Sequence, residues 1–178
     1  MFIKQVTECE EKKSITRFIL EALPDWFAVK ESREKYIEES PEQLFFAAYE
    51  NDKPAGFLYL KETGKETVEL AVMGVLKEYH RKGIGRKLFE AAKKCAVKNG
   101  YEFMQVKTVK MGIYEDYDAT NLFYKSLGFK ELEVFPTLWD VANPCQIYIM
   151  GLNKSIEPSR SIAKEIFEAA VAKNPGSW

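Results

Sequence analysis

The 178-residue chain is short of the residue types on which several kinds of chemistry depend. His80 is its single histidine, so a Ser-His-Asp arrangement has no base unless His80 serves, and a histidine-rich zinc centre lacks ligands. Three cysteines, Cys9, Cys95 and Cys145, stand far apart, in no metal-ligand spacing, and read as reduced thiols. No apolar run approaches the ~18 residues of a membrane-crossing helix. The opening MFIKQVTECEEKK has no hydrophobic signal core. A dominant charge is missing too: 26 basic and 27 acidic residues leave a formal net charge of −1. That balance argues against a general nucleic-acid or membrane-surface binder, although a local basic patch is compatible with it. The remainder is a globular mixture, 46% hydrophobic and 30% charged, with no internal repeat or low-complexity stretch. It predicts one cytoplasmic domain whose acid–base work falls to carboxylates, tyrosines and water.

Periodicity predicts the elements. MFIKQV reads as a first strand, and EEKKSITRFILEAL as a helix with Ile15, Phe18, Ile19 and Ala22 on its apolar face, stopping before Pro24. KESREKYIEES is a second, more polar helix ended by Pro41. QLFFAAYE and PAGFLYLKE are strands joined by the turn NDKP, and TVELAVMGV is a strand with Gly74 near its end, where a glycine often marks a bulge. A helix follows over 84–98, with Ile84, Leu88, Ala91, Ala92 and Cys95 as its stripe and Asn99-Gly100 as its stop. EFMQVKTV is a strand, and Asp118 can cap the helix ATNLFYKSL, with Ala119, Leu122, Phe123 and Leu127 facing the core. KELEVF and CQIYIMGL are the last strands. The order is that of one α/β domain with a mixed sheet. Residues 1–152 are expected to form that domain. Residues 153–178 are expected to be a linker and an amphipathic helix, packed on the domain or on a partner.

The stretch YHRKGIGRKLF, residues 79–89, places two glycines among basic residues at the start of a helix, a setting that offers backbone N–H groups and positive charge to an anion. It is not a phosphate-binding loop of the G-x-x-x-x-G-K-[ST] kind, because Arg86, Lys87 and Leu88 follow Gly85. Nor is it a dinucleotide fingerprint, whose third glycine would stand where Leu88 does. Basic residues at a helix start oppose the macrodipole, which favours an anion there.

This loop, preceded by the strand ELAVMGV, resembles the acyl-coenzyme-A binding motif of the GNAT superfamily of N-acyltransferases, Gln/Arg-x-x-Gly-x-Gly/Ala. Gly83 and Gly85 match it, and His80 takes the Gln/Arg position. NLFYKSLGF, residues 121–129, is similar to the superfamily's second landmark, and the order of elements follows the superfamily as far as Met150. The resemblance implies a GNAT fold: a mixed, mostly antiparallel sheet with its fourth and fifth strands splayed, flanked by helices, here with an extra C-terminal helix. It also implies acetyl-CoA as cosubstrate. The pyrophosphate would meet residues His80, Arg81, Lys82, Gly83, Ile84, Gly85 and Arg86, and the pantetheine arm would meet Met73, Gly74 and Val75.

The resemblance further implies roles. Glu69 falls where some members carry a glutamate base, Tyr124 on the tyrosine many members aim at the coenzyme sulfur, and Asn121 on an asparagine often near the pantetheine. Glu69, Ala71 and Met73 share a face if strand alternation holds, and Gly74 suits the bulge that splays the strands. The acceptor would lie among Trp26, Phe27, Tyr114, Tyr117 and Trp139 with nearby acids, a lining that suits a cationic amine and equally suits a hydrophobic wall. The expected function is direct transfer of acetyl from acetyl-CoA to a primary amine of a small molecule or peptide, with no metal, by a monomer or homodimer that binds neither nucleic acid nor membrane. The alternative is a non-catalytic acyl-CoA sensor or regulatory module, which would keep the loop and could dispense with Glu69 and Tyr124.

Overall fold

Among the described residues, alternation becomes seven strands and 3.6-residue periodicity becomes four helices. In chain order these are β1 (Phe2–Val6), α1 (Cys9–Glu21), α2 (Lys30–Glu39), β2 (Leu44–Glu50), β3 (Lys53–Gly64), β4 (Thr67–Val75), α3 (Ile84–Lys98), β5 (Phe103–Val109), α4 (Glu115–Leu127), β6 (Lys130–Asp140) and β7 (Asn143–Gly151). The structure, a computed structural model, describes residues 1–152; the linker and helix expected over 153–178 lie outside the described residues. Among the described residues no helix is long and apolar enough to cross a membrane.

The strands form one sheet in the order β1-β2-β3-β4-β5-β7-β6. The β2–β3 turn has Asn51 at φ 49° and Asp52 at φ 60°, the two positive values that let a tight hairpin follow the twist of its strands. Every pairing is antiparallel except β4 with β5. That parallel pair holds for three positions, Thr67 with Phe103, Val68 with Met104 and Glu69 with Gln105, and beyond Glu69 the strands part into a wedge.

The bulge in β4 is at Ala71, not Gly74: Tyr59 opposes Val72 and Leu60 opposes Leu70, so Ala71 is the extra residue. One added residue flips the phase of all that follows. Val68 and Leu70 therefore face the α3 side, whereas Val72 faces the α1 side and Met73 returns to the α3 side. Glu69 and Met73 thus lie on opposite faces, which corrects the shared face expected from simple alternation. Gly74 has a different task. A Cβ there would stand 2.7 Å from Ile19 Cγ2 and 3.1 Å from Leu23 Cδ1, so the missing side chain lets α1 lie against β4.

Two cores follow. On one face Leu58, Leu60, Val68, Leu70, Met104, Val106 and Tyr148 pack with Ile84, Leu88 and Phe89 of α3 and with Tyr124 and Leu127 of α4. On the other, Phe45, Phe57, Tyr59 and Val72 pack with Ile15, Ile19 and Leu20 of α1. The α1 stripe differs from the expected one: Phe18 is exposed, and Lys12 and Thr16 are buried. Lys12 satisfies its ammonium by donating to the carbonyls of Pro41 at 2.7 Å and Gln43 at 2.8 Å. Helix α4 is also rotated from expectation, with Asn121, Tyr124 and Leu127 inward and Leu122 exposed. It starts at Glu115 with no side-chain cap, and Asp118 instead accepts from the Gly112 N–H at 2.6 Å. Finally, FPTLWD continues β6 rather than forming a loop. Pro136 is tolerated there because β6 is the edge strand and its outer side needs no donor.

Candidate active site

The wedge opens into a cleft of about 1560 Å³ that crosses the sheet between the start of α3 and the α1–α2 loop. At its α3 end the backbone does most of the building. Gly83, at φ 76°, is the N-cap of α3, with no side-chain cap and no acidic residue in the first turn. The first N–H groups of the helix, at Ile84, Gly85 and Arg86, are thus left for a ligand or solvent. Arg81 precedes them at φ 60°, an uncommon conformation for a residue other than glycine. A Cβ on Gly83 would have nothing within 4 Å, so the glycine serves its left-handed backbone and an open approach. Gly85 differs: its Cβ would meet Met73 Cε at 2.9 Å and Phe123 Cζ at 3.0 Å, so it serves close packing of α3 against β4 and α4.

Side chains brace this loop. The His80 Nε2 lies 2.7 Å from the Val75 carbonyl, which requires Nε2 to carry the proton, and its ring packs edge-on against Trp26 at 5.9 Å. Arg86 donates to Ser126 O and Oγ, each at 3.2 Å, fastening α3 to the end of α4. Lys82 does not line the cleft; its ammonium stands 5.3 Å from the centre of the Tyr79 ring.

Mid-cleft, Met73, Gly74, Val75 and Tyr124 all line the cavity. Burial, with a smaller push from Tyr117, holds the Tyr124 phenol well above its ordinary range and so protonated at neutral pH, the state a proton donor needs. Asn121 does not line the cleft. It is fully buried, donating to Val109 O at 2.9 Å and Tyr117 O at 2.7 Å and accepting from the Tyr148 hydroxyl at 2.7 Å. It clamps α4 to β5 and β7. Thr108 is also buried and lines the cleft, its hydroxyl unpartnered among the described residues.

Glu69 sits at the vertex of the wedge, the last paired residue of β4 before the strands part. Its carboxylate, 12% exposed, accepts from Lys107 Nζ at 2.6 Å and Gln105 Nε2 at 3.3 Å. Tyr36 and Tyr59 stand nearby, with the Tyr59 hydroxyl donating to the Tyr36 carbonyl at 3.4 Å. Burial, then Glu39 and Glu69, raises the Tyr36 phenol above its ordinary range. Trp26, Phe27, Tyr114, Tyr117 and Trp139 all line this end, and the Tyr117 hydroxyl donates to Trp26 O at 3.1 Å, bridging α4 to the α1–α2 loop.

Comparison with known proteins adds the decisive observation. The model of the acetyltransferase (GNAT) domain matches residues 41–131, just over half of the chain. The chain belongs to the GNAT acetyltransferase family. The Bacillus subtilis (strain 168) protein "Uncharacterized N-acetyltransferase YsnE" is 32% identical over 95 residues, which are 53% of this chain and 61% of that one, so less than two thirds of the relative is matched. Among solved structures, a GNAT-family protein from Desulfovibrio desulfuricans superposes with a TM-score of 0.74 at 18% identity, covering 85% of this chain and 99% of the other. An aminoglycoside 6'-N-acetyltransferase complexed with coenzyme A gives 0.68 at 18% identity, covering 88% and 100%. The Salmonella typhimurium protein yncA, with its cofactor acetyl-CoA, gives 0.65 at 18% identity, covering 89% and 98%. At these identities the likeness is one of fold.

Within this GNAT domain, the residues singled out from sequence converge on one cleft, with Lys82 and Asn121 standing outside it. Sequence reasoning missed Arg33, Tyr36, Glu39, Tyr59, Lys61 and Lys107, which line the cleft from α2, β3 and β5. Alternation places Lys61 and Lys107 on the face of Glu69, a signal that was available; the inward turn of α2 carried none.

Proposed function

We propose that this protein is an acetyl-CoA-dependent N-acetyltransferase that passes the acetyl group directly to a primary amine of a small molecule or peptide. The observation that carries the reading is the wedge beyond Glu69, which joins an uncapped helix N-terminus at one end to a partly buried carboxylate at the other. The residues fit the cosubstrate. Uncapped N–H groups at Ile84, Gly85 and Arg86, the open space over Gly83 and the cations of Arg81 and Arg86 suit a pyrophosphate. The β4 edge over Met73, Gly74 and Val75, unpaired on the β5 side, offers backbone groups to an amide-rich arm. Coenzyme A and acetyl-CoA bound in two of the solved relatives support the same assignment.

Acetyl-CoA supplies an activated thioester; the chain supplies proton traffic and position. Glu69 takes a proton from the attacking amine, directly or through water, while Lys107 and Gln105 hold its carboxylate in place. Tyr124 returns a proton from its hydroxyl to the departing thiolate sulfur. A β4 backbone N–H polarises the carbonyl at the wedge. Cys145 is fully buried, and burial raises its thiol to about 11, which favours direct transfer over an acetyl-cysteine.

The test is titration calorimetry of the protein with acetyl-CoA, followed by thiol release across a panel of amines. Binding near 1:1 with amine-dependent release is the expected result. A folded protein that binds no acetyl-CoA overturns the reading, and binding with no release from any amine favours the sensor alternative.

A further inference from the structure

One wall of the acceptor end is richer in cations than the sequence led us to expect. This inner wall, on the α2 face of the sheet, presents Arg33, Lys35, Lys61 and Lys107 against two carboxylates, Glu39 and Glu69. Both carboxylates are already engaged, Glu39 by Lys61 at 3.0 Å and Lys35 at 3.9 Å, Glu69 by Lys107 at 2.6 Å. The acids of the other bank, Asp25, Asp116 and Asp140, are exposed. Asp25 is paired with Lys77, and Asp140 accepts from the Asn143 backbone and side chain at 2.9 and 3.0 Å.

Arg33 is the cation of this wall that forms no ion pair among the described residues, although Glu34 lies close enough to feel its charge. Its Nη1 donates to the Phe27 carbonyl at 3.1 Å, and its Nε is buried with no hydrogen-bond partner among the described residues. Arg33 lines the cleft, and the guanidinium N–H groups that it neither spends on Phe27 nor buries at Nε are planar, charged donors of the kind that suit a carboxylate.

Resting on the acetyltransferase reading above, we infer that the acceptor is an amine carrying its own carboxylate, an amino acid in the broad sense, with Arg33 as the residue that selects it. Arg33 seats the carboxylate while the amine meets Glu69. A polycationic amine would meet the Arg33 guanidinium, which no ion pair occupies among the described residues, on the same wall.

The experiment uses the full chain and acetyl-CoA with α- and ω-amino acids, each beside its amide, and an aminoglycoside as the polycation. The expected result is that at least one amino acid is acetylated with kcat/KM about tenfold or more above its amide. Arg33→Met should bring that ratio to near one, raising KM rather than lowering kcat, and Arg33→Lys should restore part of it. Acetyl-CoA affinity, measured on the same variants, verifies that the fold is intact. A wild type that binds acetyl-CoA yet acetylates no amino acid, or prefers the amides or the aminoglycoside, overturns the inference, as does a ratio unchanged in Arg33→Met. A wild type that binds no acetyl-CoA overturns the underlying reading instead.

Discussion

The two ends of the cleft are built from different materials. At the α3 end the groups left free are backbone N–H groups at a helix start, shaped by one left-handed glycine and held by His80 and Arg86. At the acceptor end they are side chains from α2, β3, β5 and the β6–β7 hairpin, brought together only by the tertiary fold. A backbone site tolerates many side chains and depends on a few conformations. A side-chain site depends on each residue, and so is where relatives of one fold diverge in substrate.

Between them sits Tyr124, and changing it tests whether the two ends form one reaction path. Its hydroxyl makes no hydrogen bond to the described residues, so Tyr124→Phe removes the proposed proton donor at little structural cost. The turnover number should fall about 100-fold or more while acetyl-CoA affinity stays within a few-fold. A rate within threefold of wild type would show that the proton reaches the thiolate by another route.

The backbone character of the first end predicts a different sensitivity. Gly83→Glu forces a residue with a Cβ into φ 76° and brings a negative charge to the proposed anion site, yet its Cβ meets no atom within 4 Å. About 1–2 kcal/mol of left-handed strain plus charge repulsion should weaken acetyl-CoA binding by about 100-fold. The folded protein should persist in circular dichroism. Unchanged affinity in calorimetry would remove the pyrophosphate from this loop.

These differences govern what could be read from the chain. The loop was legible because glycine spacing and a helix start are local properties, and Tyr124 because it stands in a compact run, NLFYKSLGF. A hairpin turn at NDKP was legible for the same reason, although Lys53 and Pro54 belong to β3 and the turn itself is only Asn51-Asp52. The bulge was not, since either Ala71 or Gly74 satisfies the pattern of β4 and only pairing with β3 decides. The rotation of α4 was hidden because Asn121, a polar residue, occupies the most buried position on the strength of three hydrogen bonds. Arg33 stood in a polar helix with no period to mark it, and its role depends on Phe27 and the wall opposite.

Two substitutions separate structure from site where the sequence suggested cofactor contact. Asn121→Ala strands the Tyr148 hydroxyl and the Val109 carbonyl and should cost about 1–3 kcal/mol of stability. Gly74→Ala drives a methyl into Ile19 and Leu23, an overpacking penalty of about 1–3 kcal/mol. Both should lower the midpoint of thermal unfolding while leaving acetyl-CoA affinity at low temperature within a few-fold. A selective loss of affinity without loss of stability would make Asn121 a cofactor contact, or show that the open space at Gly74, and not only its backbone, serves the cofactor.

The smallest effect is expected at Cys145, which pairs with Val109 at the end of β5, where the wedge is open. Burial is the main cause of its raised thiol, Lys107 pulls the other way, and Glu69 adds to the rise, leaving it near 11. At pH 8 that leaves about one thiol in a thousand ionised, too few to serve as a nucleophile on the time scale of turnover. Iodoacetamide at pH 8 should therefore label the exposed Cys9 while sparing Cys145, as read by peptide mass spectrometry, and the labelled protein should transfer acetyl at the unmodified rate. Labelling of Cys145 in step with loss of activity would instead point to a covalent acetyl-cysteine, and the two ends of the cleft would then be visited in turn rather than occupied together.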